Sequence, residues 1–217
     1  MKKAALLCIV VLLLGVLLPP AFAQSGRQTI TPDNAASLVE LIRLGRGSVE
    51  HVAFSPDGQT LAVAGSVGVW LYQPANLSTA NEPPLLDTEG IAKAMAFSPD
   101  GALLAVTTDA GLSVWNVASQ SLAGSATFER TSESIAFSPD GHLLAVSQGY
   151  DGVVLWDMAA GAEAGVLAGN MQATADVVFS PDGSRVAGST TDYQVHVWQV
   201  SDASEIALLS GHTSYVY

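Results

Sequence analysis

Phe54-Ser55-Pro56-Asp57-Gly58 recurs letter for letter at residues 97–101, 137–141 and 179–183. The spacings are 43, 40 and 42 residues. A near-constant period of this length is the mark of an array of small structural units stacked on one another. Each copy lies between two runs of strand-forming residues, as in Ile135-Ala136-Phe137 before the third copy and Leu143-Leu144-Ala145-Val146 after it. The pentapeptide therefore reads as a hairpin turn. Proline presets φ at about −65° in the second turn position, aspartate bonds back to its own backbone, and glycine accepts the positive φ that closes the turn. This assigns Asp57, Asp100, Asp140 and Asp182 to turns.

An aromatic residue follows each repeat phenylalanine by 18 or 19 positions: Tyr72, Trp115, Trp156 and Trp198. Each ends a β-branched or apolar stretch, such as Val195-His196-Val197-Trp198, which predicts a third strand. A fourth apolar run then precedes the next turn, as in Glu163 to Leu167 and Glu205 to Leu209. Each repeat thus holds four short antiparallel strands, and the fold class is all-β. One such sheet cannot bury both its faces until neighbours pack against it, which argues for radial repetition.

With the turn, the aromatic and the period in phase four times, residues 38–217 resemble the WD-repeat β-propeller family. The resemblance implies four-stranded antiparallel blades, with repeats at about 45–87, 88–127, 128–169 and 170–211 and the start of another at 212–217. It also implies a buried network of Asp, His, Ser or Thr and Trp in each blade, from which this chain departs. Only Trp156-Asp157 is a literal Trp-Asp pair. Counting from Phe54 places Tyr72, and not Trp70, at the family tryptophan position. The family Asp is kept at Asp109 and Asp192, displaced by one residue at Asp151 and replaced by Ser66. The family His position holds Gly45, Thr88, Phe128 and Asn170, and only Gly211-His212 retains the pair. The network is expected to be largely dismantled and apolar burial to replace it.

Residues 38–42 and 205–209 both read as outermost strands, and the sequence stops at Tyr217 soon after the Gly-His that opens another repeat. Four complete repeats with partial ends are expected to make an open or incomplete ring of a truncated, bacterial-type exported member. Open ends invite self-association through uncovered sheet faces and edges. Ahead of the array, Lys2 and Lys3, an apolar run from Ala4 to Leu18 and Ala21-Phe22-Ala23 compose a signal peptide, 1–23, cleaved after Ala23. Pro19-Pro20 ends the run short of the roughly 20 residues a bilayer requires, so no stable membrane anchor is expected after cleavage. Residues 24–37 form a linker, and an extracytoplasmic location follows. Cys8 is the only cysteine, which leaves the mature chain without disulfides.

The formal charge is −12, and without Lys2 and Lys3 the balance is 6 basic against 20 acidic side chains. Such a surface repels phosphate backbones, so nucleic acid is a poor partner. No two of the four histidines share metal-ligand spacing, no nucleophile elbow is present, and the glycines mark turns. No enzyme, cofactor or metal is expected. The resemblance implies a non-catalytic scaffold that binds a protein or peptide through the loops joining fourth to first and second to third strands. Those loops are expected at 44–49, 87–92, 128–133 and 169–175, and at 64–67, 107–110, 148–152 and 189–193. Within them Arg46, Arg130, Tyr150 and Tyr193 are the candidate contacts, since Arg and Tyr are enriched among interface hot spots. Two alternatives remain: a sensor or substrate-gating module attached to an enzyme domain, and a TolB-like periplasmic propeller.

Overall fold

The computed structural model describes residues 47–77, 82–128, 130–168, 174–214 and 216. All lie in the larger of the two compact units into which the chain divides, Leu41–Tyr217. The signal segment, the linker, the strand expected at 38–42 and Arg46 fall outside the described residues.

Four four-stranded antiparallel sheets are found among the described residues, each hydrogen-bonded in chain order. Blade one is β1 (Val49–Phe54), β2 (Leu61–Gly65), β3 (Gly68–Tyr72) and β4 (Leu85–Leu86). Blade two is β5 (Ala94–Phe97), β6 (Leu103–Thr108), β7 (Gly111–Asn116) and β8 (Ser121–Ala126). Blade three is β9 (Ile135–Phe137), β10 (Leu143–Ser147), β11 (Val153–Asp157) and β12 (Ala162–Leu167). Blade four is β13 (Thr174–Phe179), β14 (Arg185–Thr190), β15 (Val195–Gln199) and β16 (Glu205–Leu209). β4 is only two residues long because Pro83 and Pro84 precede it and cannot donate to a ladder.

Register ties the two sequence markers together. Leu104 lies opposite Phe97 on one side and Trp115 on the other. Leu144 does the same between Phe137 and Trp156, Val186 between Phe179 and Trp198, and Leu61 between Phe54 and Tyr72. Directly opposed residues share a face, so each repeat lays a phenylalanine, an aliphatic and the third-strand aromatic in one row. The ladder to the fourth strand slips at that aromatic in blades two, three and four. A slip of this kind increases local twist.

The second strands read Leu61-Ala62-Val63, Leu104-Ala105-Val106, Leu144-Ala145-Val146 and Val186-Ala187-Gly188. Alternation sends the alanines to one face and the Leu or Val residues to the other, with Gly188 in place of the second large residue in blade four. Each blade therefore has a small-residue face and a large-residue face. The three apolar clusters are where these meet. Ala62, Ala64, Val69 and Leu71 of blade one pack with Leu104 and Val106 of blade two. Ala105, Leu112 and Val114 pack with Leu144 and Val146 of blade three, and Ala145, Val153 and Leu155 with Val186 and Trp198 of blade four. The innermost strands adjoin in sequence, β1 to β5, β5 to β9 and β9 to β13.

The ends of this arc are uncovered. Phe54 of blade one is 61% exposed, against 8% for Phe179 at the same repeat position, and Val178 of blade four is 57% exposed. The ring is open, as the repeat count implies.

Two loop expectations need correction. The second strands run further than expected, leaving 66–67, 109–110 and 191–194 as their connections, and the ends of two expected linkers, 49 and 174–175, belong to β1 and β13. Gly68 and Gly111, at φ +121° and +129°, permit turns tight enough for ladders that long.

Replacing Leu104, fully buried between blades one and two, by alanine is expected to cost about 2–5 kcal/mol in urea unfolding. Leu122→Ala, at a half-exposed site on β8, should change stability by less than about 0.5 kcal/mol. A second expectation concerns the turn between third and fourth strands. Gln120 and Ala203 adopt φ +56° where blade three has Gly161 at +61°. Ala203→Gly should raise the melting temperature, since glycine removes a left-handed penalty of about 1 kcal/mol.

Candidate interaction surface

Antiparallel order places the pentapeptide turns and the third-to-fourth-strand turns at one end of every blade. The remaining loops gather at the other end. The turn end is committed to structure. In all four turns the serine hydroxyl donates to the aspartate Oδ1 at 2.6 Å. That same oxygen accepts the N–H of Gln59, Ala102, His142 or Ser184 at 2.9–3.0 Å. The serine Oγ in turn accepts an N–H from the start of the second strand. These bonds, the serine hydroxyl first, hold the four carboxyls below the ordinary aspartate range, with Asp182 at about 2. Successive turns also touch. A methyl group at Gly101 would lie 3.4 Å from Pro56 Cδ, and one at Gly141 or Gly183 would lie 3.5 Å from Cδ of Pro99 or Pro139.

At the loop end, polar groups tie the linkers that enter blades one, two and three to the neighbouring hairpin. The guanidinium Nε of Arg130 donates to Asp151 Oδ2, Lys93 Nζ lies 3.9 Å from Asp109, and Ser48 N–H donates to Ser66 Oγ at 3.2 Å. The positions aligned with the family Asp are thus used at the surface. Asp109 and Asp192 are both exposed, and Asp192 accepts from its own turn at Thr190 Oγ1. His212 is also exposed. The buried network implied by the resemblance is replaced blade by blade. Trp115 Nε1 donates to Ser113 Oγ at 3.0 Å, and Trp198 Nε1 donates to the carbonyl of Ala168 at 3.3 Å. Phe128, at a family His position, meets Trp156 edge-on at 6.2 Å, and His196 stacks on Trp198 at 5.5 Å.

A polar network does exist, but elsewhere than the family pattern places it. Thr107 Oγ1 donates to the carbonyl of Ser132 at 2.8 Å, and Ser147 Oγ accepts the N–H groups of Glu133 and Ser134. Ser134 Oγ donates to Asp176 Oδ1 at 2.6 Å, joining blade three to blade four. Gln148 Nε2 donates to Ser132 Oγ. Replacement by apolar packing alone therefore understates the polar share. The only sequence signal was the Ser132-Glu133-Ser134 run before β9.

Of the candidate contacts, Arg130 and Tyr150 belong to one cluster. Tyr150 is 59% exposed on the short 3-10 turn Gly149–Asp151, whose last residue holds Arg130. That turn lies against β13 of the next blade. Tyr193, 37% exposed with φ +69°, stands on the corresponding hairpin of blade four. A cleft of about 290 Å³ beside the loop end of blade two is lined by Asp87, Glu89, Thr108, Trp115 and Thr127 among others. Among the described residues, no group of three or more His, Cys, Asp or Glu could hold a metal ion, and no helix is long and apolar enough to cross a membrane.

Four-stranded blades packed face to face about their first strands define a β-propeller. The family profile described as WD domain, G-beta repeat matches residues 87–116, 127–157 and 164–199, which fall on blades two, three and four. The chain belongs to the WD-repeat family. No curated protein matches it. WD-repeat propellers generally serve as scaffolds for protein interaction, commonly bind proteins or peptides and are generally non-catalytic.

The lowered aspartate range has a pH consequence with a definite sign. A carboxyl whose folded pKa is depressed contributes stability above its unfolded pKa and loses it as pH falls through the folded value. For Asp182 that window runs from about 3.8 down to about 2. Followed by carbon NMR titration, the Asp182 midpoint should climb toward 3.8 in Ser180→Ala, with the Ser184 bonds retaining part of the shift.

Proposed function

We propose that this chain is an exported, non-catalytic scaffold whose loop end binds a protein or peptide carrying a basic segment. The observation that carries this reading is the composition of the loop end. Among the described residues, Asp87, Glu89, Glu133 and Asp192 are exposed there, while the cations Lys93 and Arg130 each pair with an aspartate. A face of this kind attracts cationic segments and slows the approach of anionic ones. Tyr150 and Tyr193 supply aromatic area beside it, as contact anchors commonly do. At the turn end the exposed aspartates are each tied into their own turns through Oδ1.

The test is selection of a displayed random-peptide library on the purified chain. Selected peptides should be enriched in Lys and Arg, and Tyr150→Ala or Tyr193→Ala should weaken them by about fivefold or more. Ile206→Ala, exposed on the outer strand β16, should leave them unchanged. Peptides that are acidic, or that ignore both tyrosine variants, contradict the assignment. Export rests on residues 1–23, and mass spectrometry of the secreted chain should find Gln24 as its first residue.

A further inference from the structure

The two uncovered faces of the arc are the two halves of one more blade interface. On the small-residue side, Val69, Leu112 and Val153 are at most 2% exposed where each meets the next blade. Val195 holds the same position in blade four and is only half-buried, with Val178 beside it 57% exposed. On the large-residue side, Ile135 and Val177 are 8% and 5% exposed, whereas Val52 at their position in blade one is 64% exposed, next to Phe54.

A polar pair is set out the same way. At the channel-side position three residues before the repeat phenylalanine, Ser134 bonds Asp176 of the following blade. The residue at that position in blade one is His51, and both Asp176 and His51 are exposed.

We propose that the occupant of this seam is a second copy of the chain, docked head to tail, so that blade four of each copy packs on blade one of the other. Small face then meets large face, as in the three seams inside the chain. Asp176 meets the imidazole N–H of the other copy's His51. Two arcs of four blades close as an eight-bladed ring, inside the range of about four to eight that propellers use. Pairing like faces would oppose Asp176 to Asp176. A heterologous contact normally propagates unless its rotation closes, and two half-rings supply that closure.

Sedimentation equilibrium of the full secreted chain tests this. The expected result is a discrete dimer, with Val178→Asp and Phe54→Asp each shifting the population to monomer while thermal melting of the monomer is unchanged. An equimolar mixture of those two variants should regain dimer, because one of its two seams is wild type on both sides. His51→Asp, which opposes two carboxylates, should weaken the dimer by about tenfold or more. A monomeric wild-type chain overturns the proposal, as would be expected were the seam covered by further blades. Loss of dimer in only one of the two apolar-face variants points to like-face pairing and overturns it too, and open-ended polymers overturn the closed ring.

Discussion

Each blade of this chain is apolar on both faces, so no blade can be stable without a neighbour. An isolated four-stranded sheet would leave Ala105, Leu112 and Val114 in water on one side and Leu104 and Val106 on the other. Burying a side chain of that size is worth roughly 1.5–3 kcal/mol, and a single blade would forfeit several such terms. The two faces also differ in size, because the Leu-Ala-Val alternation of the second strands places alanine on one side and the bulky pair on the other. Large packs on small at every seam. Stacking consequently has a direction, and the asymmetry that orders the blades within the chain also fixes what could complement its ends.

The polar groups follow from the same constraint. A seam that buries apolar area also buries backbone and hydroxyl groups near its rims, and these cost free energy unless they are bonded. In this chain the bonds come from short side chains on the linkers and second strands: Thr107 and Ser134 bond backbone groups across the seams, and Ser147 bonds the Ser134 N–H within blade three. The Asp and His positions emphasised by the family resemblance are then free to diverge, and they have. Asp109 and Asp192 serve the surface, while Phe128 turns one His position into an aromatic contact.

How much of this was legible in the sequence depended on whether a residue acts locally. The pentapeptide turn could be read because Pro, Asp and Gly each act within five residues of themselves. The third-strand aromatics could be read because the turn fixes the register by which Leu104 faces both Phe97 and Trp115. Trp70 and Tyr72 could be ordered by counting alone. The Ser134–Asp176 bond could not, because its partners stand 42 residues apart and serine and aspartate are unremarkable in a linker. Loop ends were misjudged for a related reason: Thr107-Thr108 and Ser189-Thr190 look like loop residues by composition, yet ladder bonding and the following turn keep them in strands.

The same distinction separates architecture from binding. Residues that repeat must serve what the blades have in common, which is the turn and the seam, and their side chains are consumed there. Whatever gives this propeller its own ligand has to lie where the repeats disagree. At the loop end they do disagree: the linker-to-hairpin tie is an arginine pair in blade three, a lysine pair in blade two and a serine cap in blade one. Tyr150 and Tyr193 stand on hairpins of different length and backbone shape. Equivalent positions are therefore presented at different angles around the arc. A partner that used this face would read an irregular set of carboxylates and aromatic rings held by a regular frame, and its selectivity would come from the irregularity.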